Sequence, residues 1–176
     1  SSYTDITYYD GLGYPYQVVS GGASPEQKNI VSPVWYDNMR RSDSKQLLPY
    51  ILDNSDGRAD SDYLQNQIGY YSNYYPGDSA FVKNVYDNSG MDRVARRYNV
   101  GTVFHEKDKY ASYEYDANGA AEVLKLELTG SGLSIRAGGY YPAGKLWKNT
   151  VRDEDGRSVI TFSDSNDNTL LQRQVL

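Results

Sequence analysis

The chain has 176 residues, no cysteine, one histidine and a formal net charge of −5. That is long enough to bury a real core. It excludes disulfides, thiolate metal sites, a cysteine nucleophile and any multi-histidine metal site, and the negative balance argues against a nucleic-acid partner. Mean hydropathy is −0.72, and no apolar run approaches the ~18 residues that would suggest a spanning helix.

Tyrosine is the compositional outlier, at 19 residues against 3 Phe and 2 Trp. Its apolar ring and polar tip suit half-buried surfaces, and it favours strands. The expectation is an all-β chain of mainly antiparallel hairpins. In chain order, Thr4, Ile6 and Tyr8 alternate with Asp5, Thr7 and Tyr9, a period of two that predicts a strand. Tyr9-Asp10-Gly11-Leu12-Gly13 follows. An aspartate there can accept backbone N–H groups further along, and a glycine three places later supplies the left-handed conformation that closes a type I turn with a bulge. Asp10 and Gly13 therefore predict a hairpin, with Tyr14, Tyr16 and Val18 alternating on the return. Gly21 to Pro25 is a loop. Tyr36-Asp37 keeps the first half of the pattern, but Met39-Arg40 replaces its glycine, which speaks against a regular hairpin there.

Residues 53–62 are polar and rich in turn formers. Ser61 is positioned to cap one short helix near 61–73, with Leu64, Ile68 and Tyr71 on one face and Tyr74-Tyr75-Pro76-Gly77-Asp78 ending it. The aspartate–glycine spacing recurs as Asp87 and Gly90, Asp116 and Gly119, and Asp153 and Gly156, so a hairpin turn is predicted at each. Leu124, Leu126 and Leu128 alternate with Lys125 and Glu127 in the cleanest strand pattern of the chain. Tyr141-Pro142-Ala143-Gly144 is a further turn, and Val159 to Phe162 a β-branched strand. Trp35 and Trp147 read as core anchors. The strand-like, apolar Leu170 to Leu176 predicts that the natural polypeptide continues.

Little in the chain points to catalysis. His105-Glu106 lies in a charged stretch and reads as surface, and no nucleophile elbow or phosphate loop is present. No catalytic residue, cofactor or metal is expected. A calcium loop fails from Asp53, because Arg58 stands at the required glycine. It fails from Asp164 because Thr169 does. The aromatic cluster Tyr63, Tyr70, Tyr71, Tyr74 and Tyr75 offers the one ligand platform, with Tyr70, Tyr71, Tyr74 and Tyr75 as candidate sugar-stacking residues.

Several of these strings resemble the RHS/YD-repeat family. They are Tyr9 to Gly13 with Pro15, Gln17 and Val19; Ile30-Val31 with Pro33, Tyr36-Asp37 and Leu48-Pro49-Tyr50; and Gly139 to Leu146 with Asp153 to Arg157. More narrowly, they resemble the uncharacterised domain preceding the RHS core of large bacterial surface or secreted proteins. The likeness is strongest at 6–50 and 138–176 and weakest at 53–110. Tyr14 stands where that repeat usually has arginine. The resemblance implies a non-enzymatic structural role in a secreted or cell-surface protein, with the chain as an N-terminal fragment, one β-rich domain over 1–176. It would line or cap a β-shell around a C-terminal passenger or toxin, with the rest of that polypeptide as its partner. Because open sheets leave unpaired edges, self-association through those edges, or cover by the chain's own loops, is also expected. A carbohydrate-binding module using the exposed tyrosines is the alternative.

Overall fold

Four strands assemble around one lateral row of side chains. In a computed structural model describing residues 4–130 and 132–176, β1 (Thr4–Tyr9), β2 (Pro15–Gly21), β3 (Asn29–Pro33) and β5 (Tyr50–Leu52) form an antiparallel sheet in the order β1-β2-β3-β5. Its register places Ile6 beside Val19, Val19 beside Val31 and Val31 beside Tyr50. Val19, Val31 and Tyr50 are buried and form the core of this region, with Tyr8, Leu52, Tyr70 and Tyr71 packed against them. The fold is mostly β, 44% strand and 10% helix, with antiparallel sheets, as the alternation of tyrosines and β-branched residues predicts. The chain, read above as one β-rich domain, divides into two compact units, Ser1–Lys109 and Tyr110–Leu176.

In the first unit, β4 (Lys45–Leu47) pairs with β6 (Phe81–Tyr86), which pairs with β7 (Val94–Tyr98). Helix α1 (Tyr63–Tyr74) contacts β3 and β5. It occupies the predicted stretch with a different cap and face. Asp62, not Ser61, holds the N-cap position, and no side chain caps the helix there. The face expected from Leu64, Ile68 and Tyr71 is rotated. Gln67 is the buried residue, Tyr70 and Tyr71 pack on the core, and Ile68 is exposed. Gln67 wins the inward position because its amide donates to Ala80 O at 2.9 Å, satisfying a carbonyl at the end of the adjoining loop. A second short helix, α2 (Thr102–Glu106), lies where the sequence reads as charged surface.

The polar stretch 53–62 is woven into this core. Asp60 is buried. Its carboxylate accepts from the Tyr50 hydroxyl, from Asn66 Nδ2 at 2.8 and 3.0 Å, and from the Asp62 N–H at 3.0 Å. The Gln17 amide closes on the Asp60 backbone from both sides, donating to its carbonyl at 2.9 Å and accepting its N–H at 3.0 Å. Burial and the adjacent carboxylate push the Tyr50 hydroxyl pKa upward. Asn29, also buried, ties Asn54, Gly22 and Gly57 together. Gly57 has φ +71°, and a Cβ there would meet Ile6 Cδ1 at 2.8 Å.

In the second unit, β8 (Ala111–Ala117) pairs with β11 (Trp147–Arg152), β11 with β12 (Ser158–Ser163) and β12 with β13 (Thr169–Val175), all antiparallel. β9 (Leu124–Thr129) and β10 (Gly132–Tyr140) form a separate two-stranded ribbon. Val123, Leu146 and Phe162 are the buried core. Trp147 is exposed and does not anchor it. Strand alternation turns the side chain after buried Leu146 to the opposite face.

Candidate functional site

The turns that the aspartate–glycine spacing predicts share one geometry at two of the four places. At Asp10 the chain closes a five-residue loop. The Asp10 N–H donates to Tyr14 O at 2.8 Å and the Gly13 N–H to Asp10 O at 3.0 Å. Asp10 Oδ1 accepts the N–H groups of Leu12 and Tyr14 at 2.8 and 2.9 Å, and Gly13 sits at φ +82°. Asp153 repeats each of these contacts with Asp155, Gly156 (φ +90°) and Arg157. These loops join β1 to β2 and β11 to β12.

The same loop also forms where no glycine signals it. Asp37 closes on Arg41, accepting from Met39 and Arg41 N–H groups at 2.9 Å each, with Arg40 at φ +62° in the glycine's place. The departure at Met39-Arg40 does not prevent the loop, but no hairpin forms across it, as expected: β3 pairs with β2 and β5, and β4 with β6. Asp164 closes on Asn168 with Asp167 at φ +61°, joining β12 to β13. Ser24 does so with Lys28, its hydroxyl accepting the Lys28 N–H, and Gln27 lies at φ +59°. A left-handed non-glycine costs roughly 1–2 kcal/mol. The bonds of the aspartate or serine side chain offset that cost. At Arg40 the guanidinium also lies 4.9 Å from the Tyr14 ring centroid and 3.7 Å from Asp10. Donated N–H groups hold the carboxylates of Asp10, Asp37 and Asp164 below the ordinary aspartate pKa. The leading donors are the N–H of Tyr14 for Asp10, the N–H of Arg41 for Asp37 and the side chain of Asn168 for Asp164.

Two predicted turns differ. Asp87 and Gly90 lie in the β6–β7 connection, but that loop is longer. The Asp87 N–H pairs with Arg93 O, and both Gly90 and Asp92 are left-handed. Asp116 is not a turn residue. It lies inside β8 opposite Lys148, and Gly119 is not left-handed. Asn118 displaces it. Its Oδ1 accepts the N–H groups of Lys145 and Leu146 at 2.9 and 2.8 Å, and its Nδ2 donates to Gly119 O and Pro142 O. Asn118 is buried and directs three of these four bonds to the chain returning into β11.

The tyrosine platform divides in two. Tyr70 and Tyr71 pack on the core, their rings 5.2 Å apart and crossed at 77°. The Tyr71 hydroxyl donates to Pro49 O. Tyr74 and Tyr75 are 65% and 62% exposed, and Tyr74 meets Tyr70 at 52°. The four rings do not form one plane. Beside them is a cleft of about 350 Å³ that Trp35, Lys45, Leu64, Ile68, Tyr71 and Phe81 help to line. Lys45 Nζ lies 4.2 Å from the Phe81 ring centroid and 5.8 Å from that of Trp35. Desolvation there lowers the ammonium pKa. Asp78, Gln65, Gln67 and Ser72 also line the cleft, so the Lys45 ammonium shares it with a carboxylate and several polar side chains. Nothing in the sequence marks this cleft, because its lining comes from four separate segments.

His105 is half-buried in α2, donating from Nε2 to Asn99 O at 3.0 Å, with its ring 4.6 Å from Phe81. Glu106 is exposed. Among the described residues, no group of three or more His, Asp or Glu is placed to hold a metal ion. The Asp164 and Asn168 side chains bond each other and the loop's own N–H groups. No helix among the described residues is long and apolar enough to cross a membrane.

The family model for a domain of unknown function, DUF6443, matches residues 1–117. The chain belongs to the DUF6443 family. The DUF6443 match covers the first unit and ends with the last residue of β8. No curated protein and no solved structure matches the chain.

Proposed function

We propose that this DUF6443 chain is a non-enzymatic structural segment of an RHS/YD-repeat type of bacterial surface or secreted protein. In this reading it contributes to, or caps, a β-shell around a C-terminal passenger or toxin. The observation that carries the reading is the five-residue loop shared by Asp10, Asp37, Asp153 and Asp164. Each aspartate fixes one hairpin or corner from within its own sequence, so strands can be added one after another without a large common core. Consecutive loops at Asp153 and Asp164 already give a three-stranded meander, β11-β12-β13. Its partner is the remainder of the same polypeptide.

The test is the reading frame beyond Leu176 and the protein it encodes. Further Tyr-Asp hairpins there, and protection of the downstream segment from protease when both are made together, support the shell. A stop codon immediately after this chain overturns it. A second reading, glycan binding, is favoured by the exposure of Tyr74 and Tyr75 at the end of α1. Its test is a tyrosine-fluorescence titration with a panel of oligosaccharides. A saturable change lost in Tyr74→Ala and Tyr75→Ala supports it, and a flat response across the panel removes it.

A further inference from the structure

The β9–β10 ribbon carries an apolar face that nothing in its own sheet covers. Leu126, Leu128, Leu133 and Ile135 are 54%, 84%, 68% and 61% exposed. They lie on one face, because Leu128 pairs with Leu133 and Leu126 with Ile135. A two-stranded ribbon is marginal on its own, and an exposed apolar patch on a strand edge is a docking surface or an aggregation hazard.

The two edges are not equivalent. Between Ile135 and Tyr140 the register of β10 breaks, with Gly138 and Gly139 at φ +91° and +65°. A bulge of this kind turns an edge away from further pairing. The β9 edge runs unbroken from Leu124 to Thr129. Its sequence, Leu124-Lys125-Leu126-Glu127-Leu128, has one charge of each sign placed symmetrically about Leu126. From this we infer that β9 pairs edge to edge, antiparallel, with β9 of a second copy of the chain, on a two-fold axis at Leu126.

The charge pattern selects this register. On that axis Lys125 of each copy faces Glu127 of the other, Leu124 faces Leu128, and Leu126 faces itself. Sliding by two residues sets Glu127 against Glu127 or Lys125 against Lys125. A shift of one residue puts leucines opposite charges on the wrong face. Among the described residues the one ion-pair approach to Glu127 is that of Arg136, at the long distance of 3.9 Å, which leaves its carboxylate able to take a second partner. The product is a four-stranded sheet, β10-β9-β9-β10, with leucines flanking leucines across the new seam. This inference rests on the ribbon alone and stands whether or not the shell reading holds.

Sedimentation velocity on the full 176-residue chain over a wide concentration range tests it. The expected result is a reversible dimer. Glu127→Lys and Lys125→Glu singly each place like charges opposite one another twice and weaken the dimer at least ~10-fold. The double reversal restores it to within ~3-fold. Because the chain has no cysteine, Leu126→Cys gives a single thiol on the axis. Facing residues there would be about 4.5–5.5 Å apart at Cα, inside the range a disulfide spans, so mild oxidation yields a covalent dimer. Leu133→Cys, one strand away, does not cross-link. A monomer at every concentration overturns the inference. So does a dimer indifferent to both charge reversals, or one in which Leu133→Cys links as fast as Leu126→Cys. If a single reversal disturbs the fold, the double variant and the cysteine pair still decide the matter.

Discussion

In the first unit the buried polar contacts join distant parts of the chain. Gln17 meets Asp60 across 43 residues, and Asn29 gathers Gly22, Asn54 and Gly57. In the second unit one residue, Asn118, does the corresponding work by holding the segment that leads into β11. The first unit covers its sheet with α1, whereas the second leaves the leucines of its ribbon open. The difference shows that the five-residue loop does not determine how an interior is closed. The same loop serves both units, and the closure depends on which buried amide or carboxylate is available to satisfy the backbone of the incoming segment.

The largest expected effect falls on the buried polar side chains that close each interior. Asp60→Ala leaves Tyr50, Asn66 and the Asp62 N–H without their acceptor, costing about 3 kcal/mol or more. Asn118→Ala removes two accepted and two donated bonds, at about 2–3 kcal/mol. Urea unfolding followed by peptide-resolved hydrogen exchange separates them. Asp60→Ala is expected to lose protection first in Ser1–Lys109 and Asn118→Ala first in Tyr110–Leu176. Equal losses in both regions would mean that the units do not have separate cores.

A smaller contrast concerns the turns. Asp153→Ala loses two backbone N–H contacts at a hairpin corner and is expected to cost about 1 kcal/mol. Asp116→Ala, at the exposed penultimate position of β8, should stay within about 0.5 kcal/mol. Comparable melting-temperature shifts for the two would remove the distinction between them. Acid sharpens the same point. The folded pKa values of Asp10, Asp37 and Asp164 lie below 3.8, so their contribution is present above that pH. It is lost as pH falls through the folded values. An acid titration should therefore show stability falling below about pH 4, and less steeply in the triple Asp→Asn variant. At the alkaline end, Tyr50, raised above 10, makes stability fall once pH passes that value. Tyr50→Phe should flatten this limb. The smallest effect is a gain. Gln27→Gly relieves a left-handed side chain at φ +59° and should stabilise by about 0.5 kcal/mol, read as a rise in the denaturation midpoint.

The legible parts of the sequence are those where one residue type has one physical use. Asp10 with Gly13 and Asp153 with Gly156 form the loops that their spacing predicts, and the alternation of Leu124, Leu126 and Leu128 is a strand. Asp37, Asp164 and Ser24 were illegible as loop formers. The fourth position of each carries Arg40, Asp167 or Gln27, and only side-chain bonds reveal that the left-handed turn is held. Asp116 misled because Asn118, two residues on, competes for the corner and has both a donor and an acceptor to offer. The burial of Gln17, Asn29 and Asp60 was hidden for a similar reason. Polar letters in a turn-rich stretch look solvated until their partners, tens of residues away, are brought beside them. The cleft near Lys45 has no local signature at all.

The span between Gln17 and Asp60 also bears on the order of assembly. Hairpins closed within five residues need only local search and form on the scale of ~1–10 μs. The β11-β12-β13 meander can therefore exist early. The amide of Gln17 must wait until the whole intervening stretch, three strands included, has found its place. Contacts of such high sequence separation set the slow end of a folding reaction. A full-length chain refolding from the unfolded state would thus pass through a stage with zipped ribbons and an unlatched first sheet, its Val19 and Val31 row still open to water. In that interval, chaperones or neighbouring unfolded chains have their best access to it.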